Sequence, residues 1–286
     1  MTHHSSIPPK PLTPPRPAEP LIFGRIPRTK AITATIGLPL FGLVLLWLPA
    51  WGFSLLALVI APLAAHEFGR LFLPFRVLDR WLLVGAAGLG VLAASLLPAP
   101  QVLALLPLGL VLILATELFR APLALQHRHA PLTLVAGFAY TGILASIVVL
   151  VRQLPQGNEA VLWLFLATWG GDFGAGSAGM LLGRHHLPAR INARKTWEGV
   201  LGGTLAATLL TLWLLPAGTA SGLAAVLIGL AVGLLGQAGD LAESLLKRTI
   251  GITDSGSFVP GQGGVLDRVD SVLFVAPLVY LVLAGG

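Results

Sequence analysis

Residues 239–271 read GDLAESLLKRTIGITDSGSFVPGQGGVLDRVDS, with long apolar runs on either side. This window holds five of the chain's twelve carboxylates and three of its eighteen Lys and Arg residues. Only 10% of the residues are charged and 55% are hydrophobic. A soluble chain carries about 25% charged residues. Charge at the edge of a membrane is costly and is kept there for function. The window therefore reads as a working stretch at a membrane surface, and the rest of the chain as the frame that holds it.

The fold class follows from the apolar runs. They are continuous and long, as spanning helices require, whereas barrel strands would be short and alternating. With a mean hydropathy of +0.85, the chain is expected to be an all-α polytopic membrane protein. It has no cysteine, which excludes disulfides and thiolate metal sites. A net charge of +6 would suggest nucleic acid in a soluble protein. In a membrane protein it marks loops facing anionic lipid, so the expected partner is the bilayer and no nucleic acid.

Outward from the window, nine spans are expected: 31–50, 52–72, 81–97, 101–119, 131–151, 160–182, 199–216, 222–246 and 271–285. Pro98, Pro100, Pro155 and Pro216 punctuate connections, while Pro39, Pro62 and Pro107 fall inside spans, where kinks are tolerated. Residues 1–20 carry seven prolines and cannot bury a core. With the basic collar of Arg25, Arg28 and Lys30 they form an expected disordered tail over 1–30. No apolar stretch follows the start directly, so the tail does not read as a signal peptide. The expected division is this tail, an N-terminal membrane region over 31–151 with about five helices, and a C-terminal catalytic membrane region over 152–286.

Counting Lys and Arg orients the spans. With the N-terminus in the cytoplasm and sides alternating, the cytoplasmic segments hold seventeen of the eighteen, and the opposite side holds only Arg152. The positive-inside bias puts the C-terminus on the opposite side and both polar loops, 183–198 and 247–270, in the cytoplasm. The membrane is expected to be a bacterial inner membrane, with the working loops on its cytoplasmic face.

Several residues could carry chemistry. Asp240, Glu243, Ser244 and Lys247 share one helix face. Carboxylates at a helix end suit a hard cation such as Mg²⁺, or they form a solvated end with a Glu243–Lys247 pair. Pro260, Gly261, Gln262, Gly263 and Gly264 cannot be helical; their amides either cradle an anion or make a plain connector. Asp267 and Asp270, at i and i+3 around Arg268, add a second acidic pair. Two such pairs with cations nearby are the equipment of phosphoryl or nucleotidyl transfer. Asp172 lies inside a span and should face a polar interior, as a site group or a structural acceptor. Gly171, Ala175, Gly179 and Gly183 make a small-residue stripe that serves packing within the chain or a homodimer. In the basic loop, Arg184, Arg190, Arg194 and Lys195 contact phosphates or only mark the cytoplasmic side. His185 and His186 read as surface residues rather than metal ligands, and His66 as structural. Glu67 and Glu117 either pair with nearby arginines or reach the site, and the pairing is the preferred reading.

At these residues the chain resembles the phosphatidate cytidylyltransferase (CDP-diacylglycerol synthase) family. That family's signature runs Ser-x-x-Lys-Arg, four residues, Lys-Asp, then Pro-Gly-His-Gly-Gly, two residues, Asp-Arg-x-Asp. Ser244, Lys247, Arg248, Asp254, Pro260, Gly261, Gly263, Gly264, Asp267, Arg268 and Asp270 stand in register with it. Lys195–Gly199 matches its Lys-Thr-Trp-Glu-Gly motif, and Asp172 its Asp before a glycine-rich helix. The resemblance is specific from about residue 170 onward; before that it rests on hydropathy and span order. Two positions depart from it: Thr253 stands for the family's Lys, and Gln262 for its His. Thr253 removes a phosphate contact, and Gln262 keeps hydrogen bonding without carrying charge.

The resemblance implies that CTP and phosphatidate give CDP-diacylglycerol and pyrophosphate. Asp240 and Asp267 would hold Mg²⁺, alone or with a second cation. Asp172, Ser244, Asp254 and Asp270 would support the substrates, and Lys195, Lys247, Arg248 and Arg268 would neutralise phosphate. The alternatives are a relative acting on another lipid phosphate, a CTP-dependent lipid kinase, and a non-catalytic membrane protein or transporter. Transport fits poorly, because the carboxylates cluster at one edge rather than at midplane.

Overall fold

The computed structural model describes residues 42, 47–119, 130–192, 194–251 and 264–285. Eight long helical segments make up nearly all of them: α1 Ala50–Phe72, α2 Val77–Leu96, α3 Ala99–Phe119, α4 Ala130–Gln153, α5 Gly157–Leu182, α6 Trp197–Leu214, α7 Gly222–Thr249 and α8 Leu266–Ala284. Among the described residues there is no strand, only an isolated antiparallel bridge between His186 and Thr196. The expected all-α class stands. Six of the helices, α1 to α4 with α6 and α7, are long and apolar enough to cross a membrane. α5 and α8 reach similar lengths but carry Glu159 and Asp172, and Asp267, Arg268 and Asp270. The expected span 31–50 and the tail before it fall almost wholly outside the described residues.

The outer faces are apolar. Leu55, Val59, Leu89, Leu103, Leu201 and Leu227 are exposed, as a lipid-facing surface requires. The exposed tryptophans, Trp47, Trp51, Trp81, Trp197 and Trp213, all stand beside or within a terminal turn of a helix. Their amphipathic rings suit the membrane–water interface.

Side chains tie the helix ends into two groups. At one edge, Arg152 Nη2 donates to Leu48 O (2.9 Å), Gln153 Nε2 to Ala94 O (2.6 Å) and Gln156 Nε2 to Ala217 O (3.1 Å). These bonds gather the start of α1 with the ends of α2, α4 and α6. At the other edge, Glu67 near the end of α1 accepts the Leu266 amide of α8 (3.0 Å). Consecutive helices therefore alternate in direction.

The two halves pack differently. In α5, α6 and α7 small residues let backbones touch. A Cβ on Gly203 of α6 would stand 2.7 Å from Ala175 Cβ, 2.8 Å from Gly171 O and 2.9 Å from Gln237 Nε2. Gly229 and Gly233 of α7 approach Thr208 and Thr204 in the same way. The stripe Gly171–Gly183 is thus consumed by packing against α6 within the chain. In α1 to α4 the contact is made by Phe53, Phe68, Leu83, Leu134 and Phe138. α4 widens to an i→i+5 turn over Phe138–Ile143, where Leu144 N bonds Ala139 O. Such widened turns occur often at functional sites.

Candidate active site

Gly239 on α7 fixes the geometry. A Cβ there would lie 2.7 Å from Asp270 O and 3.0 Å from Ser271 Cα. Only glycine allows α7 and α8 this approach, and it sets Asp240 beside the first turns of α8. The loop before α6 supplies the facing side. It is held by Leu187 N to Lys195 O (2.8 Å) and Trp197 N to His185 O (2.9 Å). Thr196 then caps α6, its Oγ1 accepting from Gly199 N at 3.1 Å. Glu198 accepts from the His185 amide and meets His185 Nδ1 at 2.5 Å, so it fastens the loop. Lys195, one residue before the cap, is left pointing at α7.

Lys195 Nζ pairs with Asp240 Oδ2. Ser244 Oγ, one turn on, lies 3.5 Å from Asp240 Oδ1 and accepts from Asn192 Nδ2 at 3.2 Å. Arg248 Nη2 donates to Asn192 Oδ1 at 3.0 Å. Across the gap to α8, Lys247 Nζ meets Asp267 Oδ1 at 3.0 Å and Glu243 Oε2 at 3.4 Å. Asp267 Oδ2 also accepts the Gly264 amide at 3.2 Å. Deeper in, Ser271 Oγ donates to Asp172 Oδ2 (3.1 Å), and Ser271 N donates to Asp270 Oδ1 (2.8 Å). Asp172, Asp240 and Asp270 are thereby gathered from α5, α7 and α8 within helices that otherwise bury apolar side chains.

Asp172, Asp240, Glu243, Asp267 and Asp270 face the ammonium groups of Lys195 and Lys247. Glu243 is buried, its carboxyl adjoins those of Asp267 and Asp270, and its Oε1 has no hydrogen-bond donor. Carboxyl groups crowded at this depth are held only when paired or hydrogen-bonded. Among the described residues no three His, Asp or Glu side chains are arranged to hold an ion by themselves. Mg²⁺ does not need such a cage, since one or two carboxylates plus substrate phosphates suffice. The hard oxygens of Asp240 and Asp267 fit that role.

Of the expected site residues, Lys195, Asp240, Ser244, Lys247, Arg248, Asp267, Asp270 and Asp172 come together here, with Gly264 on Asp267. Arg268 sits in the first turn of α8, where Trp169 Nε1 donates to its carbonyl oxygen (3.2 Å). Asp254, Gly261, Gln262 and Gly263, with Thr253, lie outside the described residues. His185 and His186 are exposed, and His66 stacks against Trp81 with ring centroids 5.6 Å apart. Sequence reasoning missed Asn192, Ser271 and the use of Glu67. Ser271 follows Asp270 directly, which was a signal of place. Nothing marked Asn192 within its basic loop. For Glu67 the sequence favours the arginine pairing over a reach toward the site; its carboxylate meets an amide at the first turn of α8, the helix that carries Asp267 and Asp270.

A model of the cytidylyltransferase family matches residues 28–285. A phosphatidate cytidylyltransferase of Brucella suis biovar 1 is 40% identical over 150 residues, 51% of this chain and 55% of its own. One from Synechocystis sp. is 42% identical over 134 residues, covering 45% of this chain and 44% of its own. One from Staphylococcus saprophyticus is 36% identical over 157 residues, 51% of this chain and 56% of its own. The chain spans about half the length of the curated relatives it matches.

Proposed function

Since the chain belongs to the cytidylyltransferase family, we propose that it transfers the cytidylyl group of CTP to phosphatidate, giving CDP-diacylglycerol and pyrophosphate. The observation that carries this reading is the pair of lysine–carboxylate contacts, Lys195–Asp240 between the loop before α6 and α7, and Lys247–Asp267 between α7 and α8. Each lysine can leave its carboxylate for a phosphate when the nucleotide arrives.

The reaction asks little covalent chemistry of the protein. A phosphate oxygen of the lipid attacks the α-phosphorus of CTP, the α–β bridging bond breaks, and pyrophosphate leaves. The second pKa of a phosphomonoester is about 6, so the nucleophile is already ionised near neutral pH. No general base is required. The task is to bring two polyanions together. Lys195 and Lys247 offset phosphate charge, and Arg248 and Arg268 extend that field along the ends of α7 and α8. Asn192 and Ser244 hold Asp240 in place, as Ser271 holds Asp172 and Asp270. Asp240 and Asp267 would hold Mg²⁺, which when bound supplies charge neutralisation at the CTP phosphates.

The same reading puts nine spans in a bacterial inner membrane, N-terminus in the cytoplasm, C-terminus opposite and the site on the cytoplasmic face. The seventeen-to-one distribution of Lys and Arg supports it. The site and its lipid then meet at the level of the head groups.

The test uses purified full-length protein with phosphatidate and CTP labelled either at the α- or at the γ-phosphate, with Mg²⁺ and with EDTA. Metal-dependent transfer of the α-label to lipid is expected. Transfer of the γ-label alone would make the protein a kinase, and no transfer to any lipid phosphate would remove the activity.

A further inference from the structure

A second feature lies beside the acidic cluster. A cavity of about 320 Å³ runs between α1, α4, α5 and α8. Its walls are apolar over most of their length, with Phe53, Ala57, Ala61 and Val148 among them, and among the described residues Arg268 is the one charged residue that lines it. α1 contributes from Phe53 to Ala64, three turns or about 16 Å at 1.5 Å per residue. Glu67, one turn beyond Ala64, touches Leu266 at the start of α8. Arg268 therefore stands at the Ala64 end, beside Asp267, and Phe53 lines the other. The widened turn of α4 brings Thr141 into the same wall.

We infer that this cavity is an acyl-chain slot that seats one chain of the lipid phosphate substrate and sets the chain length accepted. The inference rests on the proposed cytidylyl transfer for the identity of that lipid. Its lining matches an amphiphile: cationic where the phosphate must meet CTP, apolar along α1, with an aromatic ring at the far end. The volume equals about ten waters at about 30 Å³ each. A methylene is of similar size, so the slot holds about ten carbons of a chain. Bilayer tails are as apolar as the slot, so moving a chain into it gains nothing from hydrophobicity. Selectivity must come from fit: an overlong chain is blocked at Phe53, and a short one leaves a void.

Two substitutions should act in opposite directions. Ala57→Phe fills the far end, and Phe53→Ala opens it. With phosphatidates of increasing acyl length, Ala57→Phe should move the preferred length down and Phe53→Ala should move it up. Each should change the ratio of short- to long-chain turnover by about tenfold. Loss of turnover at all lengths alike, or an unchanged preference, would overturn the slot, because simple destabilisation cannot produce opposite shifts.

The companion measurement needs no turnover. A phosphatidate carrying a diazirine at the end of one acyl chain is photolysed with the full-length protein, and the labelled residues are mapped. Label on Phe53, Leu56 and Val148 is expected. Label confined to Leu55 and Val59, which face outward on the same helix, or to residues 31–46, would overturn the slot. Slot labelling without transfer from CTP would leave the slot and remove the reaction. Transfer without slot labelling would do the reverse.

Discussion

The two halves of the molecule solve the packing problem in opposite ways. In α5 to α8 backbones come into contact over glycine and alanine, and the polar groups of the candidate site sit where they meet. In α1 to α4 large side chains such as Phe53, Phe68, Leu83 and Phe138 fill more of the contact, and a long apolar cavity is left where α1 and α4 meet α5 and α8. Lipid supplies no hydrophobic drive for helix association, so close van der Waals contact and interhelical hydrogen bonds must hold the bundle. Small residues give the tightest contact, and only that contact positions five carboxylates from three helices. The looser half is suited to holding something as variable as a lipid tail.

The comparison breaks most sharply at Gly203. A leucine there meets backbone on α5 and the Gln237 side chain of α7. Ordinary overpacking costs about 1–3 kcal/mol, and contacts below 3 Å against a carbonyl oxygen put this case at the upper end or above. Gly203→Leu should yield protein that unfolds in mild detergent at temperatures the parent survives, as read by a thermal-shift assay, and that makes no CDP-lipid.

Glu67 joins the halves, and its loss should be felt in the site without unfolding the chain. A carboxylate accepting an amide in the first turn of a helix is worth about 0.3–1 kcal/mol, up to about 2 when partly buried. Glu67→Ala should lower kcat by about tenfold with little change in the KM for CTP, because α8 carries Asp267 and Asp270. Glu67→Gln keeps an acceptor for the Leu266 amide and should recover most of the rate. Equal damage from both substitutions would detach Glu67 from the positioning of α8.

The smallest effect is the control. Gly85 on α2 has open space where a Cβ would be added. Gly85→Ala should leave activity unchanged and shift stability by no more than about 1 kcal/mol, in the favourable direction that helix propensity gives. A large loss would contradict the claim that the N-terminal half packs through side chains.

Much of this was legible in the sequence, because membrane helices announce themselves by length and hydropathy. The eight long helices follow eight of the expected spans to within a few residues at most ends. The exception is the last, where α8 begins at Leu266 and so takes Asp267 and Asp270 into its first turns. The shared face of Asp240, Ser244 and Lys247 came from helical period alone. What periodicity cannot carry is partnership between distant segments. The contact between Glu67 and Leu266 spans 199 positions. The sequence offered Glu67 an arginine or the site and preferred the arginine, since hydropathy reports charge and not the free amides at a helix start. The use of the Gly171–Gly183 stripe stayed open for the same reason: a small-residue face looks identical whether the second helix is in the same chain or another. The widened turn of α4 and the cavity it borders have no sequence period to reveal them.

We propose the carboxylates on α7 and α8 as the catalytic heart of a cytidylyl transfer. The direct measurement is Mg²⁺-dependent formation of CDP-diacylglycerol by Asp267→Asn, purified beside the parent and matched to it in elution and thermal unfolding. The substitution keeps the shape of the side chain and an oxygen for the Gly264 amide, and removes the charge facing Lys247. Turnover should fall by at least about 10²-fold, the scale seen when one preorganised electrostatic group is removed. A folded variant working within a few-fold of the parent would contradict it.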